Sequence, residues 1–171
     1  MIKRWQRPGI VVNYHKIGWS DSTSFSEKFD SLINEVDRLT KQGNRVSLVG
    51  VSAGASMALT VFGARKNVLK GLVLISGKLH SPWTVNPRYY LENPALKQCF
   101  EMSNKTYQAL NDNDKKLITT IHGMYDPLVS AKYSTIPGVR DKQTFSVGHT
   151  LTIAVALMFY GRFVINSLDA R

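Results

Sequence analysis

The sequence has only one cysteine, Cys99, and few acidic residues: 12 Asp and Glu stand against 22 Lys and Arg in 171 residues. A single cysteine excludes an intrachain disulfide and a metal site built from cysteines. It also agrees with a reducing compartment, and we therefore expect a cytoplasmic protein. Residues 1–9 are polar and basic with no apolar segment behind them, so we expect no secretory signal.

Long hydrophobic runs are also absent. The longest apolar stretch, 151–160, is shorter than the ~18 residues that a membrane span needs, and it predicts a mostly buried helix instead. The net charge of +10 comes from scattered basic residues, without a basic run interleaved with aromatic residues. We therefore expect no membrane span and no nucleic-acid partner. A basic binding protein for nucleic acid or anionic membrane would show salt-sensitive binding.

Short β-branched runs alternate with longer helical stretches, without internal repeats. This alternation predicts one α/β domain over 1–171, with a mostly parallel sheet of about five strands and helices on both faces. The segment 77–116 is long for a connection and predicts a helical insertion or small lid. The predicted strands are 10–13, 45–50, 72–76, 117–122 and 139–145, and the predicted helices include 25–42, 53–64 and 150–167.

A G-x-S-x-G pattern lies at 50–54, where Ser52 stands between two glycines. The pattern directly follows the apolar residues 46–49 of the predicted strand and directly precedes a helix, which is the strand-turn-helix setting that presents a reactive serine. A sharp turn at this place strains the serine backbone and exposes Oγ above the sheet. The glycines leave room for the neighbouring strand and helix.

A serine is a weak nucleophile without a base, and the sequence offers four histidines. His149 comes just after the fifth predicted strand, at the start of the last helix, and Asp126 lies just past the fourth. Serine, aspartate and histidine thus follow one another along the chain, each after its own strand. We interpret His122 as a structural residue at a strand end.

The segments VSLVGVSAGASMAL, HGMYDPLV and GHTL together resemble the α/β-hydrolase superfamily over 10–168. The resemblance implies that Ser52 attacks, that His149 transfers the proton, and that Asp126 orients the imidazole. It implies one oxyanion donor, the backbone N–H of Ala53, and neither a metal nor a cofactor. The implied function is a serine hydrolase that cleaves a small-molecule carboxylic ester or thioester through an acyl-Ser52 intermediate.

The sequence departs from this family at the second oxyanion donor, for which no HG-type loop is found. Helix 25–42 resembles the helix before the nucleophile strand, so the chain starts one strand late. Either it is truncated before Met1, or the loop 14–19 supplies the donor. A missing strand exposes a sheet edge and predicts a homodimer. A non-catalytic α/β-hydrolase-like binding module is the alternative function. Candidates for lining the cleft are Tyr14, His15 and Trp83.

Overall fold

The computed structural model describes Trp5 and residues 8–169. Twelve labelled elements follow one another along the chain. They are α1 (Phe25–Lys41), β1 (Val46–Val51), α2 (Ala53–Arg65), β2 (Leu69–Ile75), α3 (Pro87–Glu92), α4 (Pro94–Gln108), α5 (Asp112–Lys116), β3 (Ile118–Tyr125), α6 (Ala131–Ser134), β4 (Arg140–Val147), α7 (His149–Phe159) and α8 (Gly161–Asp169).

Helix α1 begins and ends where its sequence predicts. A capping box starts it: Ser24 Oγ accepts from the Glu27 N–H, and the Glu27 carboxylate accepts from the Ser24 N–H. Val36 and its neighbours one turn away face the core, since apolar residues recur at steps of three and four. Gly43, just past the end, adopts a φ of 81°, which a residue with a Cβ rarely does.

The sheet is parallel, with the order β1-β2-β3-β4 among the described residues. The strands therefore end at the same edge, and the predicted site residues follow these ends. One core lies between the sheet and α1, α2 and α4, and a second lies against α7 and α8. The structure thus confirms an α/β fold with helices on both faces of a parallel sheet.

The predicted first strand, 10–13, is wrong: in the described part of the chain the sheet has four strands instead of about five. Ile10 forms only an isolated bridge, and 11–18 has no regular structure. The side chains of Ile10 and Val12 pack into the second core, whereas Val11 is exposed. Side-chain packing without an extended strand therefore explains the alternating pattern that predicted a strand.

The predicted closing helix, 150–167, is two helices, α7 and α8, bent by 70° at Tyr160. The Trp5 indole lies at the bend: its Nε1 donates to the Leu157 carbonyl at 2.8 Å, and a Cβ on Gly161 would lie 2.8 Å from the same nitrogen. The prediction of a mostly buried helix is also wrong for α7, whose Phe159 is 72% exposed.

Within the described residues, no single helix is long and apolar enough to cross a membrane. The bent pair α7 and α8 meets the length and composition criteria only when both helices are taken together.

The segment 77–116 contains a 3-10 turn, Pro82–Thr84, followed by α3, α4 and α5. Helix α4 packs against α2 and α1, and Cys99, Phe100 and Ser103 are its buried residues. The segment is therefore largely helical, and its longest helix belongs to the layer on one face of the sheet. Its action as a lid stays a prediction.

Candidate active site

Ser52 occupies the turn between β1 and α2. Its φ of 53° and ψ of −128° lie outside the regions that residues with a Cβ normally adopt. Its N–H donates to the Ile75 carbonyl of β2 at 2.9 Å, and its carbonyl accepts from the Ala55 N–H at 2.9 Å. These bonds hold the strained turn between the sheet and the helix, as such strain requires.

The two glycines of the G-x-S-x-G pattern differ in what surrounds them. A Cβ on Gly50 would lie 2.5 Å from Ala55 Cα and 2.8 Å from Ala58 Cβ, so α2 crosses β1 too closely for any side chain there. A Cβ on Gly54 would meet only Ile17 Cδ1, at 3.8 Å. The close approach of α2 to β1 therefore requires a glycine at position 50 but not at position 54.

Ser52, His149 and Asp126 form one chain of hydrogen bonds. Ser52 Oγ lies 2.8 Å from His149 Nε2, and His149 Nδ1 lies 2.7 Å from Asp126 Oδ2. Because the carboxylate only accepts, Nδ1 is the donor to it, and in the neutral imidazole Nε2 is then the acceptor of the serine hydroxyl. A serine, histidine and aspartate joined in this order can activate the hydroxyl as a nucleophile.

The carboxylate of Asp126 is buried, with 7% of the residue exposed, and both of its oxygens accept hydrogen bonds. Its second oxygen, Oδ1, accepts from the N–H groups of Leu128 and Val129, each at 2.9 Å. This turn holds the carboxylate in one orientation, so that Oδ2 faces the imidazole. Asp126 thus forms the turn and contacts His149 at the same time.

His149 is the first residue of α7. Gly148, just before it, adopts a φ of 100° and donates its N–H to the Tyr125 carbonyl at 2.7 Å, which ties the turn to the end of β3. A residue with a Cβ rarely takes this φ. The glycine therefore lets the chain turn sharply from β4 into α7 and directs the imidazole to the edge where Ser52 lies.

Ala53 is the first residue of α2, where backbone N–H groups have no intrahelical acceptor. Its N–H and the positive end of the helix dipole suit a developing oxyanion. The loop 11–18 passes beside this helix end through Ile17. The buried Lys28 ammonium holds that loop: it donates to the Ile17 carbonyl at 3.3 Å and the Gly18 carbonyl at 2.7 Å, and it also pairs with Asp21.

The predicted cleft residues lie at the surface. Tyr14 is 74% and Trp83 73% exposed, whereas His15 lines a cavity of about 170 Å³ beside Ile17 and Lys28. Their role in lining a cleft stays a prediction. Among the described residues, no group of three or more His, Cys, Asp or Glu side chains is placed to hold a metal ion.

His122 makes a separate contact with an acidic residue. Its Nε2 lies 3.0 Å from Asp141 Oδ2 and its Nδ1 2.9 Å from the Gly123 carbonyl, so it links β3 to β4. Thr120 Oγ1 donates to the other oxygen of Asp141 at 2.6 Å. These contacts agree with the interpretation of His122 as a structural residue.

Sequence reasoning missed one residue of this edge, Lys78. The structure buries its side chain, and the Gly77 backbone just before it approaches the turn of Ser52, although nothing in the sequence pattern separates Lys78 from the surface lysines. The only sequence signal is its place directly after the apolar strand 72–76 and Gly77, at the carboxyl edge of the sheet, where parallel sheets bind ligands.

No protein-family model matches the chain, and no curated protein matches it in sequence. Solved structures do match. One of the metagenome-derived lipolytic enzymes LipS and LipT is similar with a TM-score of 0.67 at 10% identity, over 91% of this chain and 78% of that one. The Paleococcus ferrophilus monoacylglycerol lipase gives 0.59 at 14%, over 86% and 76%. An α/β-hydrolase enzyme from the metagenome of Mar Chica lagoon sediments gives 0.57 at 17%, over 90% and 74%.

Proposed function

We propose that this chain, which has the α/β-hydrolase fold of its structural neighbours, is a serine hydrolase that cleaves carboxylic esters or thioesters. The observation that carries the proposal is the continuous hydrogen-bond chain from Ser52 Oγ through His149 to Asp126. The strained backbone of Ser52 supports it, because such strain concentrates at functional sites. The neighbours that are lipolytic enzymes or lipases support an ester as the substrate.

The reaction follows from these contacts. Ser52 Oγ attacks the carbonyl carbon while His149 Nε2 takes the hydroxyl proton, and Asp126 stabilises the imidazolium that forms. The Ala53 N–H donates to the tetrahedral oxyanion. The imidazolium then protonates the departing alcohol or thiol, which leaves an acyl-serine. Water, deprotonated by His149, attacks the acyl carbonyl, and the returning proton restores the Ser52 hydroxyl and releases the acid.

Labelling with a fluorophosphonate probe tests this proposal. We expect the wild-type protein to be labelled at Ser52, and the Ser52→Ala and His149→Ala variants to be unlabelled. Asp126→Asn should lower ester hydrolysis by on the order of 10⁴, because the amide no longer selects the correct imidazole tautomer. Circular dichroism shows whether each variant is folded. A folded wild-type protein that is neither labelled nor active on esters contradicts the proposal.

A non-catalytic binding module is the second candidate. The observation that favours it is that the described residues contain no HG-type segment for the second oxyanion donor; among them, the loop around Ile17 passes beside the helix end that carries the first donor. Loss of one such donor costs about 10²–10³ in rate. A binding module predicts that Ser52→Ala leaves ligand binding and biological activity unchanged, whereas a hydrolase loses its turnover.

We further propose a cytoplasmic homodimer, based on the lone cysteine and on the sheet edge at β1. Strand β1 pairs with β2 on one side and is the first strand of the described sheet. Unpaired backbone groups at such an edge favour pairing with another chain. Light scattering should give a dimer mass, and a monomer over a wide concentration range contradicts the dimer.

A further inference from the structure

Lys78 lies close to the turn that carries Ser52. It follows Gly77, whose backbone approaches that turn so closely that an added Cβ would lie 3.3 Å from the Ser52 carbonyl oxygen. The Lys78 carbonyl accepts from Ser56 Oγ of α2 at 2.6 Å. The residue is 6% exposed. Its side chain therefore begins at the site edge of the sheet and is largely removed from water.

The Lys78 ammonium reaches the segment that follows Asp126. Its Nζ lies 3.2 Å from the centroid of the Tyr133 ring in α6 and donates to Thr84 Oγ1. The Leu79 N–H donates to the Tyr133 carbonyl at 3.0 Å, which joins the same two segments through the backbone. The charge thus lies between the residues that follow β2 and those that follow β3, the strand next to it in the sheet.

This cation has no counter-charge: within the described part of the chain, no Asp or Glu forms an ion pair with Lys78. Its charged neighbour is Lys132, whose Nζ lies 5.6 Å from the same Tyr133 ring. Burial, together with Lys132, lowers the pKa of Lys78 to about 8. The nearby His80 also has a lowered pKa, chiefly because of burial. A buried charge without a partner is costly.

One donor of the ammonium is unused. Of its three N–H groups, one donates to Thr84 and one faces the Tyr133 ring, and the remaining one has no acceptor among the residues that the structure describes. Thr84 is exposed, so the site is close to solvent.

The segment that carries Lys78 is fixed in place. Ser76 and Ser81, on either side of it, adopt positive φ angles of 47° and 57°. Ser103 Oγ of α4 donates to the Leu79 carbonyl at 2.8 Å, and the Ser81 N–H donates to Asn104 Oδ1 at 3.1 Å. A charged group held by such a segment is preorganised, and less entropy is lost when a ligand binds.

We propose that Lys78 binds an anionic group of the substrate, so that the preferred esters of this chain are acidic. The inference rests on the proposed function, since it takes Ser52 as the nucleophile of the same site. The substrate anion supplies the missing counter-charge and accepts the unused N–H. The second cation, Lys132, is exposed and adds only a small, solvent-screened contribution to the local positive potential.

A pair of matched esters tests the proposal. The 4-nitrophenyl monoester of adipic acid and 4-nitrophenyl hexanoate have the same acyl length and differ by a terminal carboxylate. We expect the wild-type ratio of kcat/KM, acidic over neutral ester, to exceed one, and Lys78→Met to lower it about 10- to 100-fold, as for a hydrogen bond to a charge. A second pair, 4-acetoxybenzoate and its methyl ester, places the anion in the leaving group and shows which half of the substrate Lys78 contacts.

Two variants separate binding from support of the turn. Thr84→Val removes the hydroxyl contact and keeps the ammonium, whereas Lys132→Met removes the neighbouring exposed charge; each should change the ratio by less than about threefold. In the wild-type protein the ratio should fall as pH rises through about 8, since kcat/KM reports the ionisation of free Lys78. Lys78→Arg should retain the preference without that pH dependence.

The inference is overturned if Lys78→Met leaves the ratio unchanged in both pairs, or if Thr84→Val lowers it equally, because Lys78 then only supports the turn. If the folded wild-type protein hydrolyses neither member of a pair, the proposed function fails by itself. Calorimetry with adipate then decides on Lys78. Binding to the wild-type protein that is lost in Lys78→Met supports the inference, and no binding overturns it.

Discussion

The backbone of Ser52 is strained, and this strain can be measured as stability. Its φ of 53° and ψ of −128° fall where a Cβ clashes with the backbone, at a cost of about 1–3 kcal/mol. Ser52→Ala and Ser52→Gly both remove the hydroxyl and its bond to His149, and they differ only in the Cβ. Glycine relieves the strain but loses about 0.4–1 kcal/mol through its more flexible unfolded chain. We therefore expect Ser52→Gly to be more stable than Ser52→Ala by about 0.5–2 kcal/mol.

Ala64, an exposed residue in the last turn of the same helix, α2, provides the matched control. The change from alanine to glycine there should destabilise by about 0.5–1 kcal/mol, as in an ordinary helix. The same substitution thus has opposite signs at the two ends of α2. Urea unfolding followed by circular dichroism gives both free energies, and Tm should shift by about 2–4 °C per kcal/mol for a chain of this size.

The outcome that refutes this reasoning is specific. If Ser52→Gly is less stable than Ser52→Ala, while Ala64→Gly loses stability as expected, the turn at Ser52 is not strained. The steric argument for a serine held above the sheet is then wrong. The hydrogen bonds to His149 and Asp126 remain as a separate observation.

Gly50→Ala should lower the free energy of unfolding in urea by about 1–3 kcal/mol, because the added Cβ lies 2.5 Å from the backbone of α2. Gly54→Ala should change it little, because the nearest atom to its Cβ is 3.8 Å away. Equal effects of the two substitutions contradict the close crossing of α2 and β1. As pH rises from about 8 towards 10.5, the wild-type protein should gain stability relative to Lys78→Met, because Lys78 loses its proton in the folded protein before it does in the unfolded chain. If the Tm of the two proteins changes with pH in the same way, this prediction is wrong. Burial raises the pKa of the Cys99 thiol, so a thiol reagent should modify it only as fast as the chain opens, and rapid modification of native protein contradicts this.

Elements with strong local patterns could be predicted closely. The helix predicted at 25–42 is α1 (Phe25–Lys41), because its capping box and apolar spacing are both local. Strand β2 (Leu69–Ile75) begins earlier than the predicted 72–76. Lys70 and Gly71 interrupt the apolar run, yet they belong to the strand because Leu69, just before them, pairs with Val46 of β1. Leu168 of α8 packs where Gly71 lacks a side chain.

The two wrong predictions have one physical cause. The alternating pattern of 10–13 and the apolar composition of 150–167 predict burial, but a sequence does not show which part of the protein each segment packs against. Ile10 packs against the second core without forming a strand, and Trp5 occupies the bend between α7 and α8. Partners far away in the sequence therefore decided whether each segment became a strand or one helix.

The sequence by itself determined the turn at Ser52 and the order of the three candidate residues, because the G-x-S-x-G pattern and the strand ends are short-range features. Only the tertiary structure decided that His149, 97 residues from Ser52, and Asp126, 23 residues from His149, lie within hydrogen-bond distance. It alone decided that Lys78 is a buried cation with no counter-charge among the residues that the structure describes. Contacts of this kind depend on how the parallel strands and their connecting segments pack together, and a local sequence pattern therefore does not predict them.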